Sequence, residues 1–551
     1  MAPTVNGAYR GRYAPGQVMF PVKAFNESNE SFERSLRMKQ EALDTLDLVY
    51  AFDEGPNERS WALQLLSAIV DSQPEIGLQL MPQVLSALED DTTSVNLAAI
   101  EVLKKLQASQ HVERILDFLK DPEASLRSAA AECLGEMNAW TMSEELRPCF
   151  SDSDSSVVKS ALQAVQCWGE SGQPLASSIV QCLDHSSAAV RCSAVQALTT
   201  FAEASERFAG HVAKLLDDSD FQTKEAAVGF FAALGPRGAR RSLTLTLDLL
   251  RRPGPGRCAA AMALGHMGVV SSAPDVAALL QPGDDTALAL AATGLEKRLG
   301  PELRRSECAA AFALSLMGEE GGKHADAIAA LLAEDIPADA KASLIRSLAC
   351  MGSHASGHKG KLLSYLEHPQ ALFREAACWA FGTLLQEEGI DLLLALFSDS
   401  QATVRQRAAK ALGELQEAAL YVDHLAVLLD DPVPAVQAQA LQSMEKCGEE
   451  AHSYAAIVCR MALQKNGNSS VRSSALKTLG SMSGAAAFAS EVASSFEDSD
   501  PTIRAAALEA MAHFGEEAQE HLMEVELLRS DPHQAVRQAA DQCAMQLGAY
   551  A

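Results

Sequence analysis

Cys350, His354 and His358 are spaced C-x3-H-x3-H in "CMGSHASGHKG", and one thiolate with two imidazoles is a zinc-type ligand set. Intervals of four residues put all three on one face of a helix if the helix is continuous. Gly352 interrupts the stretch, and no fourth ligand stands nearer than His368. The expectation is a polar turn, with these three as weak metal candidates only. "GEEGGK" at Gly318–Lys323 is one residue short of a phosphate-binding loop and continues with His324 where magnesium needs Ser or Thr. "DDSD" at Asp217–Asp220 lacks the glycine and the terminal glutamate of a calcium loop. The chain has neither a nucleophile elbow nor a dinucleotide fingerprint. No catalytic residue and no cofactor is expected from these signals.

What recurs in this chain is a structural phrase. "DSQATVRQRAAKALGEL" from Asp399 has close variants from Asp121, Asn466 and Asp531. Aligned on the basic residue of the "VR" pair, the copies fall at Arg127, Lys159, Arg191, Lys224 and Arg257. They resume at Lys341, Arg374, Arg405, Gln437, Arg472, Arg504 and Arg537. The intervals run from 31 to 35 residues, the range of stacked supersecondary units. Within one unit Ile390, Leu393, Leu394 and Phe397 mark the apolar face of a first helix. Val404, Ala408, Ala411, Leu412 and Leu415 mark a second. Asp-Pro pairs at 121–122, 431–432 and 531–532 are expected to cap the second helix, the carboxylate at the N-cap and the proline at the first helical position. Gly135, Gly265, Gly382, Gly413 and Gly480 lie eight residues after their anchors and predict close helix approach late in the second helix, a C-terminal cap being the alternative.

The fold expected is an all-α solenoid of antiparallel helix pairs, roughly 14–15 units, each covered by its neighbours. Residues 1–35 carry no helical period and are expected to be a flexible tail, basic at Arg10, Arg12 and Lys23. Repeats are expected over 36–283 and 307–551. Between them, 284–306 is expected to hold an extra helix near Asp284–Leu299 that alters the array, because "RCAAAMALGHMG" recurs as "ECAAAFALSLMG" fifty residues on.

Composition narrows the partners. The 551 residues carry a net charge of −27, which disfavours nucleic acid and an anionic membrane as main ligands. Alanine and leucine dominate the core positions, and only 5% of residues are aromatic, which suits close-packed helices. The twelve cysteines form no CxxC pair and no framework spacing, so a reducing, cytoplasmic setting is expected, an organelle or cytoskeletal assembly remaining open. No apolar run approaches a membrane span. Acids recur in the turn inside each unit, at Asp90/Asp91, Asp152/Asp154, Asp217/Asp218/Asp220, Asp284/Asp285, Asp430/Asp431 and Glu497/Asp498/Asp500, which predicts an acidic ridge along one edge.

The motif D-x-x-x-x-V-R-x-x-A-A-x-A-L-G at Asp399–Gly413 resembles HEAT repeats, and is most similar to the short E–Z, or phycobilisome-lyase-type, HEAT-like repeats. The resemblance covers almost the whole chain after the tail. It implies a ladder of Asp and Arg between neighbouring units: here Asp121/Arg127, Asp399/Arg405, Asp498/Arg504 and Asp531/Arg537. It implies a non-catalytic scaffold that binds protein partners on a concave surface lined by second helices, within a larger assembly. Gln406, Lys410, Gln538 and Asp541 are the candidate contacts there. Asp217, Asp218 and Asp220 are the candidates for basic segments, as in a transport-type adaptor. The bilin lyases, which act on tetrapyrrole-bearing proteins, are the enzymatic alternative. Deoxyhypusine hydroxylase, another HEAT-like enzyme, binds iron through His-Glu dipeptides, and this sequence contains none.

Overall fold

A computed structural model describes residues 55–70, 74–254, 256–280, 305–385, 388–465, 467–482, 484–531 and 533–548. The expected tail and the expected helix at 284–299 lie outside these residues. The described elements are all helices and turns, without a strand. The second helix of each unit is the regular one. In chain order these are α1 Pro56–Val70, α2 Thr93–Lys105, α3 Ala124–Glu136, α4 Ser155–Trp168, α5 Ala188–Thr199, α6 Phe221–Leu234, α7 Arg257–His266 and α8 Ser306–Ser315. They continue with α9 Ala338–Cys350, α10 Ala371–Ala380, α11 Ala402–Gly413, α12 Pro434–Glu445, α13 Ser469–Ser481, α14 Pro501–Phe514 and α15 Gln534–Gly548.

The chain divides into two compact units, 1–106 and 107–551. In the first, α1 packs on α2, with Pro74–Ala87 between them in sequence. In the second, α3 to α15 pack successively, each on the next. Small side chains make this packing close. An added Cβ at Gly135 of α3 would lie 2.5 Å from the Cα of Ala164 on α4, and one at Gly413 of α11 would lie 2.6 Å from the Cβ of Ser443 on α12. Glycine is thus required where backbones meet, as its spacing predicts. In α11, Val404, Ala408, Ala411, Leu412 and Leu415 are all buried, so the second apolar face is the core face.

First helices are less regular than the single amphipathic helix the pattern predicts. The segment 109–120 is a 3₁₀ turn, a five-residue α-helix and another 3₁₀ turn, and 390–398 is an α-helix closed by a 3₁₀ turn. One face of these helices meets solvent, and a short helix lacking continuous packing readily tightens at its ends. Left-handed residues join units. Gly169 turns the chain at φ 56°, whereas Ala202 takes a similar turn at φ 44° with a β-carbon in place.

The expected capping geometry needs correction. Asp121 and Asp431 do not cap the following helix: each ends the preceding 3₁₀ turn in an extended conformation and accepts the amide two residues on, from Glu123 and Val433 at 2.8 Å. Their prolines precede the helices, which start at Ala124 and Pro434. The side-chain caps come two residues after the turn acid, from Asp154, Asp220 and Asp500. At Asp431 the carboxylate is drawn off by the Arg405 fork, a stronger donor pair than two exposed amides.

The interruption of the repeat falls between the first helix of a unit, at Val270–Leu280, and its second helix, α8. The second-helix layer is not parted there. An added Cβ at Gly265 of α7 would lie 2.6 Å from the Cα of Ala313 on α8, the same approach as elsewhere in the stack. Glu307 stands where most other units have Arg or Lys; it is buried and ion-paired to Arg305.

Candidate binding surface

Repeated charges form rungs between neighbouring second helices. The fork of Arg127 donates Nε and Nη2 to Oδ2 and Oδ1 of Asp152, at 2.7 and 2.8 Å. Arg191 holds Asp218 at 2.7 Å on both oxygens, and Arg405 holds Asp431 at 2.6 and 2.9 Å. Arg374 with Asp399 and Arg504 with Asp531 repeat the arrangement, and Arg472 reaches Asp498 at 2.5 Å. In the N-terminal unit Arg59 meets Asp90. The pairing therefore joins each arginine to the acid of the next unit. Within a unit the link is made by backbone: Nη1 of Arg127, Arg405, Arg504 and Arg537 donates to the carbonyl of Asp121, Asp399, Asp498 and Asp531. The hydrogen bonds from Arg127 and Arg405 hold the carboxyls of Asp152 and Asp431 below the usual range, outweighing a burial that alone would raise them. Where histidine replaces the acid, at 185 and 368, ring Nδ1 accepts the amide two residues on, at 3.0 and 3.1 Å.

Rungs and helix caps together take up most of the described acids that predicted a ridge. Asp218 is bound to Arg191 and Asp220 caps α6, which leaves Asp217 exposed. Asp91, Asp430 and Glu497 are likewise exposed beside rung acids, and Asp284 and Asp285 lie outside the described residues. The rung is also missing at α12, where Gln437 replaces arginine and its amide reaches only the carbonyl of Asp431, at 2.8 Å. There a cleft of about 1010 Å³ opens, lined by Gln437, Ile457, Arg460, Asn468 and Arg472 among others.

Of the candidate contacts, Gln538 is exposed, whereas Gln406 and Lys410 are half-buried. Asp541 is half-buried and paired with Arg529 at 2.7 Å. The exposed positions of the second helices follow a different offset, five residues past the anchor. Lys410, Gln442, Lys477, Glu509 and Gln542 occupy it on α11 to α15, all but Lys410 classed as exposed. Lys477 meets Glu509 at 3.0 Å across two helices, so the stripe is continuous there. The signal was present in the sequence, since the anchors fix this offset.

Cys350, His354 and His358 do not converge. The ring of His354 lies against Gly322, and His358 Nε2 is 2.8 Å from Asp326 Oδ1. Among the described residues no three His, Cys, Asp or Glu side chains are placed to hold a metal, and no helix is long and apolar enough to cross a membrane. The sequence "GEEGGK" forms a short helix, Gly318–Gly322. None of the twelve cysteines is in a disulfide; Cys133, Cys258, Cys308 and Cys543 are buried packing residues, and Cys192 is half-buried.

Paired helices, glycine contacts and Arg–Asp rungs define an α-solenoid. The chain is built of HEAT repeats: that family matches at residues 81–166, 360–445 and 458–544. Importin β crystallised in a polyethylene glycol condition is similar over 95% of this chain and 84% of its own, at 13% identity and a TM-score of 0.51. The karyopherin Kap121p bound to the SUMO protease Ulp1p covers 96% of this chain and 68% of its own, at 12% identity and a TM-score of 0.48. Yeast importin β, Kap95p, covers 92% and 73%, at 14% identity and a TM-score of 0.43. Likeness at such identities is one of fold. No curated protein matches the chain.

Proposed function

We propose that this protein is a non-catalytic scaffold that binds protein partners along the outward positions of its second helices. The observation that carries this reading is the stripe at Lys410, Gln442, Lys477, Glu509 and Gln542: one polar position per unit, on consecutive helices, outside the stacking contacts. Stacking rests on the buried apolar faces and the rungs, and these positions belong to neither. Stoichiometric capture of a defined partner at moderate salt, without turnover, is expected. A pull-down with mass spectrometry and an absorbance scan tests it; a bound tetrapyrrole would replace it with the lyase reading. Lys477→Glu is expected to weaken capture while leaving the fold intact, and an unchanged complex would remove the stripe from the interface.

A second reading, recognition of basic segments, is supported by the exposed Asp217, Asp430 and Glu497 beside the rung acids. It requires binding that weakens steeply with salt. Cysteines that form no disulfide suit a reducing cytoplasm for either role.

A further inference from the structure

Between Glu225 and Asp275 the sequence holds one acid, Asp248, and six arginines: Arg237, Arg240, Arg241, Arg251, Arg252 and Arg257. In a chain of net charge −27 this is a local inversion. Five of the six sit on one first helix and its two ends. The helix Ala239–Arg251 runs unbroken for 13 residues, where other first helices divide into short pieces. Arg237, Arg241, Thr244, Asp248 and Arg251 recur every three or four residues and are all exposed, as are Arg240 and Arg252. The stripe is about 21 Å long at the helical rise.

Stacking does not account for these arginines. Arg252 ends the helix in an extended conformation, φ −84° and ψ 135°. That is the backbone place held elsewhere by rung acids: Asp218 at −59° and 148°, Asp399 at −60° and 143°, Asp498 at −65° and 142°. Lys224, the anchor of the preceding unit, is buried and has Asp217, Asp218 and Asp220 as its charged neighbours, and the following turn adds no acid. The chain has an exposed arginine instead. The ion pairs around the stripe are loose or solvent-exposed. Arg237 is 3.8 Å from Glu203, Arg240 is 3.5 Å from Glu206, and Arg251 meets Asp275 at 2.8 Å with both side chains exposed. Such pairs contribute little. Among the described residues no carboxylate oxygen lies within ion-pair distance of Arg241 or Arg252.

We infer that the outer face of helix 235–252 docks a short acidic segment of a protein partner, with the Arg241 and Arg252 guanidinium groups taking its carboxylates. The inference rests on the scaffold reading and names one partner chemistry for a second surface. Planar forks match carboxylates in bidentate fashion. The stripe is one helix wide and is bordered by Glu203, Glu206 and Asp275. A nucleic-acid duplex or a lipid surface would extend its charge past these borders onto an acidic body, well within screening distance. A short segment ends before it meets them.

The test uses the full chain and a fluorescent Asp/Glu peptide of about eight residues, enough to span the stripe when extended. Anisotropy is read at low and at near-physiological salt. Saturable binding that weakens with salt is expected. The double variant Arg241→Glu/Arg252→Glu is expected to lose about tenfold or more in affinity, as two charge-assisted contacts become repulsive. Arg241→Gln/Arg252→Gln is expected to lose less, and Arg460→Glu, on the distant cleft, is expected to change nothing. Thermal unfolding of the double variant should match the parent, since both side chains are exposed. The inference is overturned by absent peptide binding at low salt or by equal loss in Arg460→Glu. Tighter binding of a short duplex or an anionic vesicle that the double variant abolishes would also overturn it. Partner capture through the second-helix stripe reads out separately, with the double variant as bait. If capture survives while the peptide fails, only this inference falls.

Discussion

At the scale of single residues, the rungs are where sequence turns most directly into stability. Asp431 is buried and its only cationic partner in the rung is Arg405. Arg405→Ala would leave that carboxylate with backbone donors alone, and a loss of about 2–3 kcal/mol is expected, the usual worth of hydrogen bonds to a charged group. Thermal or urea unfolding checks it; an unchanged midpoint would count against the rung as a stabilising device. Acid sensitivity follows from the same contacts. The folded-state values of Asp152 and Asp431 lie below their unfolded ones. Their contribution is therefore complete above the ordinary carboxylate range and disappears as pH falls through the depressed values. Unfolding midpoints should hold steady from neutral pH to about 5 and drop below about 4. Ala202 gives a prediction of opposite sign: its φ of 44° is a left-handed conformation that costs a β-carbon roughly 1 kcal/mol. Ala202→Gly should recover part of that, less the extra freedom glycine gains in the unfolded chain.

Among elements, the second helices set the register of the stack and the first helices adapt to it. Gly413→Ala places a methyl group 2.6 Å from the Ser443 side chain, so α11 and α12 must separate. Overpacking of this kind costs about 1–3 kcal/mol, and calorimetry on the variant would show it. The missing rung at Gln437, beside an open cleft, predicts a weak seam. Amides of 463–471 should exchange hydrogen sooner than those of the equivalent turn at 428–436, and uniform protection would contradict it. The period, the apolar faces and the glycine contacts were all legible in the sequence, because each repeats and each has one geometric meaning. The partner of each arginine was not. Asp399 and Arg405 are six residues apart and look like a local pair, yet the fork crosses to the next unit and only the backbone closes the local link. The arginine stripe also escaped a reading aligned on repeats, since it departs from the repeat.

For the molecule as a whole, the relevant quantity is its charge of −27, most of it outside the rungs. Self-repulsion among exposed carboxylates opposes folding and is screened by salt, while the partly buried rungs are screened much less. Raising ionic strength from about 0.01 M to 0.15 M should therefore increase the melting temperature. A decrease would assign more of the stability to exposed ion pairs than this structure does. The linear arrangement of contacts also confines damage. Within 107–551 each second helix packs on its sequence neighbours, so the exchange caused by Arg405→Ala should spread over the adjoining units and leave distant ones as they were.

The position of residues 281–304 has a practical side. They enter after a first helix and leave before α8, and the glycine seam between α7 and α8 closes regardless. The bend inside a unit therefore tolerates extra chain that the bends between units, tied to left-handed residues, do not obviously accommodate. A fluorescent reporter or an affinity handle grafted into such a bend, at 153–154 or 499–500 for instance, would ride on the array as cargo and leave its spine in register.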